Sequence, residues 1–395
     1  MAIASPESRT RSVGNASIAL FCLGTFLFWS SLYVYVPVLS VYAQSLGAPL
    51  SLVGLVVGMY GAIQLVIRIP LGFWSDRLGR RKPFILAGLI ACGLGCLGLA
   101  FSPSPWYLVS SRAVLGLGAA TWVAFSVLFA SYYPLNRTAQ AMSLISFFNG
   151  AAQALAGLAG GYLSQASGPS ATFFAGAVIA LLGLLVMLAV PERIQPRVGQ
   201  VSARRLISIA KNPTLLFASG IAALSYLAMF TTTFTFIPIY ARSLGATDAE
   251  LGILQTATLV AYTIATLAGA SIAERIGDRW LVIAGMALAG AATALTPLAV
   301  GLVALALTQM VAALGRGACI PTLMSLAIRP LPSHERASGM GVFQALYSIG
   351  MFVGPPVGGV IADRMGLDAV FVAVAAVCAL AAAWGAKTRA LAGGI

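Results

Sequence analysis

Apolar runs of about twenty residues, the length that crosses a bilayer's hydrocarbon core, recur along the whole chain with only short polar breaks between them. They fall at 16–40, 51–74, 84–102, 105–131, 140–164, 170–190, 214–240, 249–272, 281–299, 302–328, 338–362 and 368–386. A transmembrane barrel would instead show segments of about ten residues alternating in hydrophobicity, and none is visible. The charge content agrees: 8% of the 395 residues are charged, against about 25% in a soluble domain. The expected fold is an all-α membrane protein of twelve transmembrane helices with no soluble domain attached. The first run follows Arg9 and Arg11 as a secretory leader would, but it is about 25 residues long without a small-x-small cleavage site, and reads as the first span.

Orientation follows from Lys and Arg, which accumulate in cytoplasmic loops. With both termini placed inside, 18 of the 23 basic residues lie on the cytoplasmic side and only Arg242 and Arg364 on the other; Arg68, Arg112 and Arg316 fall within spans. The expectation is a multi-pass protein of the inner, cytoplasmic membrane. The net charge of +13 then belongs to loops facing anionic lipid headgroups, and nucleic acid is not needed to explain it. Cys22, Cys92, Cys96, Cys319 and Cys378 all lie in spans, where a free thiol behaves as a small hydrophobe. Cys92 and Cys96 are one turn apart, but no His or third Cys accompanies them, so no metal and no cofactor are expected.

Shifting the chain against itself by 198 residues aligns YAQSLGA at 42–48 with YARSLGA at 240–246. The same shift pairs Gly54 with Gly252, the loop 76–81 with 274–279, and Gly160, Gly161 and Gly168 with Gly358, Gly359 and Gly366. At 199, LGLGA (115–119) meets LGRGA (314–318), setting Leu117 opposite Arg316. A near-constant shift of half the chain length means a duplicated six-helix unit, a signature of secondary transporters with the substrate site near the midplane. The expected division is an N-terminal bundle at 1–190, a cytoplasmic linker at 191–213 and a C-terminal bundle at 214–395. Arg204, Arg205 and Lys211 suggest a short amphipathic helix on the membrane surface within that linker.

The loop after the second span reads GFWSDRLGRRKP, residues 72–83, and resembles the signature between helices 2 and 3 of major facilitator superfamily transporters. The resemblance covers essentially the full chain. It implies two pseudo-symmetric six-helix bundles, a small-molecule substrate, membrane lipids as surroundings, protons as a possible coupling ion, a monomer, and no enzyme activity. It also implies a conformational latch formed by Gly72, Asp76, Arg77, Gly79 and Arg80. Gly72 and Gly79 would permit close helix approach and a tight turn, and Asp76 would dock on the other half. Arg112 with Gly116 and Gly118 is similar to the fourth-helix motif of proton-coupled drug exporters. GMFVGPPVGG at 350–359 resembles their antiporter motif, which belongs on helix 5 but here is intact on helix 11. Its Gly350, Gly354, Pro355, Gly358 and Gly359 would allow backbone contact across the halves. The fifth helix keeps Ala152, Ala156, Gly157, Gly160 and Gly161.

All ten acids fall in loops or at helix ends, so no carboxylate lies mid-membrane, and the one histidine, His334, is in a loop. Coupling through a membrane-embedded acid is therefore not expected. What is buried is positive, and an intramembrane Arg costs at least about 2.5 kcal/mol and marks function by default. Arg316, Arg112 and Arg68 are the leading substrate or coupling candidates. Tyr60, Gln64 and Arg68 are spaced four apart on one helix face, and Thr258, Tyr262 and Thr266 occupy the duplicated helix. Tyr33, Trp122, Asn149 and Gln344 complete the named cavity candidates, beside Trp29, Tyr35, Gln153, Tyr347 and the threonines 231–233 and 235. The expected activity is export of amphipathic or anionic compounds, such as drugs or lipid-linked or chelating metabolites, by rocker-switch alternating access. The alternative is an uptake or exchange carrier in which Arg316 and Arg112 clamp a small organic anion.

Overall fold

The computed structural model describes residues 14–134, 137–192, 203–332 and 335–388, apart from the side chains at 76, 138, 139, 203, 204, 206, 207 and 337. Twelve helical spans are present among them: α1 (Asn15–Ser45), α2 (Leu50–Leu78), α3 (Lys82–Ala100), α4 (Pro105–Ala130), α5 (Thr138–Ser167), α6 (Pro169–Ala189), α7 (Pro213–Ser243), α8 (Asp248–Ile276), α9 (Asp278–Leu298), α10 (Leu302–Ile328), α11 (Arg336–Met365) and α12 (Leu367–Lys387). They form two pseudo-symmetric six-helix bundles, joined where α2 packs on α11 and α5 on α8. Spans α1 and α7 run further than hydropathy suggests, because the duplicated motif continues each helix before turning at Gly47 and Gly245. Their φ angles of 83° and 90° suit a residue without Cβ.

Three spans are interrupted in mid-membrane. In α1 the helices Asn15–Tyr33 and Val36–Ser45 flank a turn, and Pro37 supplies no N–H to carry the ladder through. In α7 the segment Thr232–Phe236 is a π-turn. Thr232 Oγ1 donates to Ala228 O at 2.8 Å and Thr235 Oγ1 to Phe230 O at 2.7 Å, so hydroxyls take carbonyls that the regular ladder would use. Thr121 does the same in α4, donating to Gly118 O at 2.7 Å where helix Pro105–Ala120 gives way to Trp122–Ala130.

The two seams repeat one another under the 198-residue shift. Gly54 lies against the carbonyl of Pro355, and Gly252 against that of Gly157; Gly359 faces the backbone of Leu50, and Gly161 that of Asp248. Asp363 accepts the N–H groups of Leu50 and Ser51 at 2.8 and 3.0 Å. Its counterpart Gln165 accepts that of Ala249 at 3.1 Å. These caps satisfy helix N-termini across the seam. All of these contacts lie at the end of the molecule away from the basic loops. Toward the other end the last hydrogen bonds across the α2–α11 seam, among the described residues, are those of Arg68. Beyond it, Gly72 and Gly341 face open space.

Three expectations need correction. Gly350, Gly354 and Gly358 do not reach across the halves. They pack on Ala223, Leu227 and Thr231 of α7 in their own bundle, while Pro355 and Gly359 make the crossing. Each turn of α11 has two inward faces, and glycine spacing alone does not say which neighbour each meets. Gly72 has no close partner, although Gly79 does form the expected turn, with φ 65°. Leu117 is not the counterpart of Arg316: it is 42% exposed, like Leu314 at 38%. Gly118 and Gly315 pack alike, on Gly88 and Gly285, which aligns Arg316 with the buried Ala119. The matching LGxGA strings are thus out of register with the helix faces. The short helix expected in the linker is present at Ala203–Ala210 and packs on α11: Arg205 forms a two-pronged ion pair with Glu335, Nε to Oε1 at 2.7 Å and the second nitrogen to Oε2 at 3.0 Å. The carboxylate raises the Arg205 guanidinium above its ordinary value.

Candidate functional site

Helices α2, α4 and α10 start at the same end of the molecule and carry one buried arginine each. At 1.5 Å per residue, Arg112 lies about 10 Å along α4, Arg316 about 20 Å along α10 and Arg68 about 27 Å along α2. All three are at most 4% exposed, and among the described residues none has a carboxylate partner. Several of the acids with described side chains pair elsewhere or cap helices: Asp248 with Arg242, Asp278 with Arg329, Glu335 with Arg205, and Asp363 with the start of α2.

The three are compensated to different degrees. Arg68 donates from one nitrogen to Gln344 O at 3.2 Å, Tyr347 Oη at 3.0 Å and Ser348 Oγ at 3.4 Å, and from the other to Gln64 Oε1 at 2.5 Å. It also lies 5.3 Å from the centre of the Tyr347 ring. The sequence stripe Tyr60, Gln64, Arg68 is one face, as spacing requires, but its lower part is a clasp between the bundles. Arg112 donates to Tyr35 Oη at 3.0 Å and sits 4.5 Å from the Tyr60 ring centre, a cation–π distance. Arg316 has one bond, to Thr233 Oγ1 at 3.3 Å in the π-turn of α7. Among the described residues its Nε and NH1 have no partner, and its exposure is 1%.

Aromatic rings connect these sites. Trp122 meets Trp29 at 5.3 Å, Trp29 meets Tyr33 at 5.9 Å, Tyr33 meets Phe234 at 5.9 Å, and Phe230 stacks on Tyr60 at 6.2 Å. Tyr33, Tyr60, Arg112, Phe230 and Phe234 share a cavity of ≈ 10 Å³, room for about one water. Tyr226 stacks on Tyr347 at 4.2 Å. The candidates therefore divide into an upper group (Tyr33, Tyr60, Arg112), a seam group (Gln64, Arg68, Gln344) and Tyr262 beside the level of Arg316. Trp122 joins the first through Trp29. Asn149 is bonded to Gln153 on its own helix. Of the latch residues, Arg77 and Arg80 are exposed, and the Asp76 side chain lies outside the described residues. Tyr226, Phe230 and Phe234 were not among the sequence candidates, although their four-residue spacing on α7 is a visible stripe.

A family model described as Major Facilitator Superfamily matches residues 21–240 and again 218–390. The inner membrane transport protein YajR of Escherichia coli (strain K12) is 30% identical over 372 residues, which is 89% of this chain and 78% of that protein. The multi-drug resistance efflux pump PmrA of Streptococcus pneumoniae is 26% identical over 377 residues, 91% and 92% of the two chains. Among solved structures, a bacterial homolog of the human lysosomal transporter Spinster, in an inward-facing and unoccupied conformation, superposes with a TM-score of 0.82. It shares 18% identity and covers 96% of this chain and 98% of its own.

Proposed function

The chain belongs to the Major Facilitator Superfamily of membrane transporters, and on that premise we propose that it exports amphipathic anions by rocker-switch alternating access, with Arg316 meeting the anionic group. The observation that carries this reading is a fully buried guanidinium whose only partner among the described residues is one threonine hydroxyl at 3.3 Å. Burying such a charge costs several kcal/mol unless something compensates it, and a substrate anion supplies the compensation. The neighbouring tyrosines and phenylalanines offer faces to an apolar or aromatic body. Export is favoured because relatives such as PmrA are efflux pumps.

In this reading both termini are cytoplasmic, the closed end is extracellular, and the halves part toward the cytoplasm, where an export substrate enters. Arg112 and Tyr60 become accessible when the outer seams open. Asp76 acts as a latch in that opposite state by facing the N-terminus of α11, where the helix dipole favours an anion; Asp76→Asn slows turnover and leaves equilibrium binding nearly unchanged. The deciding experiment is transport of anionic, zwitterionic and cationic compounds in proteoliposomes under imposed pH and voltage gradients. Accumulation of small organic anions against the export direction would instead identify an uptake or exchange carrier.

A further inference from the structure

The three buried arginines pose one electrostatic problem and solve it unequally. Arg68 makes four hydrogen bonds, and Arg112 has a phenol oxygen and an aromatic face. Arg316 is the most buried of the three at 1% exposure, yet it is left with two nitrogens unbonded. Its single acceptor, Thr233 Oγ1, receives the arginine's N–H through a lone pair, so the threonine's own proton is available to donate. The π-turn at Thr232–Phe236 is what brings Thr233 to this position. Two guanidinium nitrogens and one hydroxyl proton are therefore left without an acceptor at mid-membrane, with no acidic side chain among the described residues to neutralise them.

We infer that Arg316 and Thr233 form a site for a small monovalent inorganic anion, chloride in kind, which is held between transport cycles and displaced by the anionic group of the substrate. This rests on the proposed function for the second half of the statement only, since the inorganic anion needs no substrate. Displacement makes the cycle an exchange: one monovalent anionic head leaves as one inorganic anion returns, and charge balances. The gradient of that anion then supplies coupling in a chain whose carboxylates all lie at span ends or in loops.

The test uses the full-length protein in detergent, titrated with sodium chloride against sodium gluconate at constant ionic strength. The wild type is expected to show a saturable rise in apparent melting temperature with chloride, because a ligand of the folded state stabilises it by mass action. Arg316→Leu is expected to lose the saturable component, and Arg364→Gln, an exposed arginine at the end of α11, to retain it. If Arg316→Leu does not fold, Thr233→Val serves, with a rightward shift of the chloride midpoint expected. A wild type indifferent to chloride, a response surviving in Arg316→Leu, or an unshifted midpoint in Thr233→Val overturns the site. A second arm follows efflux of the aromatic carboxylate dansyl-glycine from proteoliposomes with chloride or gluconate outside. Faster efflux into chloride supports exchange, and equal rates overturn it. Loss of efflux in Arg316→Leu together with a wild type indifferent to chloride would defeat this inference while leaving the proposed function standing.

Discussion

Tyr35 and Thr233 stand at equivalent places in the two halves, 198 positions apart, and each accepts a hydrogen bond from a buried arginine. Each also sits in the interruption of its span, the turn in α1 and the π-turn in α7. The donors come from the symmetry-related α4 and α10 but from different turns, Arg112 high and Arg316 near the middle. The repeat thus places an acceptor at the same position in each half, while the arginines that reach it come from different turns.

Arg316→Leu is expected to reduce transport about tenfold or more, and Arg316→Lys to recover little, because one ammonium does not reproduce the planar fork. Stability should stay within about 1 kcal/mol of the parent, since relief of a poorly compensated charge offsets the lost contact. The packing supports this expectation: the structural counterpart is the apolar Ala119, so the fold at this level does not need a guanidinium. Proteoliposome rates and thermal melts measured side by side decide it; an unfolded variant makes the residue structural, and a fully active one makes it dispensable.

Permanent monocations should be poor substrates. A positive charge brought within 4 Å of a guanidinium meets a repulsion of about 4 kcal/mol at an effective dielectric near 20. Tetraphenylphosphonium should therefore move no faster than in empty liposomes, whereas an aromatic carboxylate of similar size should be carried. Robust tetraphenylphosphonium flux would count directly against an anion-selective site.

Gly359→Leu should shift the conformational balance away from the sealed outer end. A Cβ there runs into the backbone of Leu50 and Ser51, which cannot rotate aside, and overpacking of this kind costs about 1–3 kcal/mol. Gly161→Leu should do the same in the other seam, against Asp248 and Gly252. Spin-label distances across the outer ends of α2 and α11 would lengthen in both variants; unchanged distributions would mean that the seams do not set the balance.

Arg205→Ala should release the helix Ala203–Ala210 from α11 with little change in global stability, since the arginine is half exposed, at 52%. Hydrogen exchange should rise in that helix and at the start of α11. High salt should produce part of the same effect in the parent protein. Equal protection in parent and variant would show that the helix is held by its apolar face alone.

Hydropathy and self-alignment made the spans and the duplication readable, because lipid imposes length and composition on every crossing segment and the 198-residue shift needs no coordinates. Direction around a helix was less readable. Gly350, Gly354 and Gly358 turned out to serve their own bundle, and Leu117 proved to face outward, because string identity carries no information about helix phase when a neighbouring span contains a bend. Arg68 was rightly placed on a face with Gln64, but its partners on α11 are 276 to 280 residues away in sequence. The π-turn escaped notice because its cause, threonine hydroxyls competing for carbonyls, depends on rotamers rather than on composition.

The seams themselves have a kinetic consequence. At Gly54, Gly161, Gly252 and Gly359 main chain lies on main chain, so little of the contact there depends on ordered side chains. Closing such a surface freezes few rotamers, and parting it releases few. A seal built from interlocking long side chains would have to be unpacked at every opening. One built from bare backbone can part almost as a smooth joint, with an activation barrier set mainly by a few caps such as Asp363 on Leu50 and Ser51.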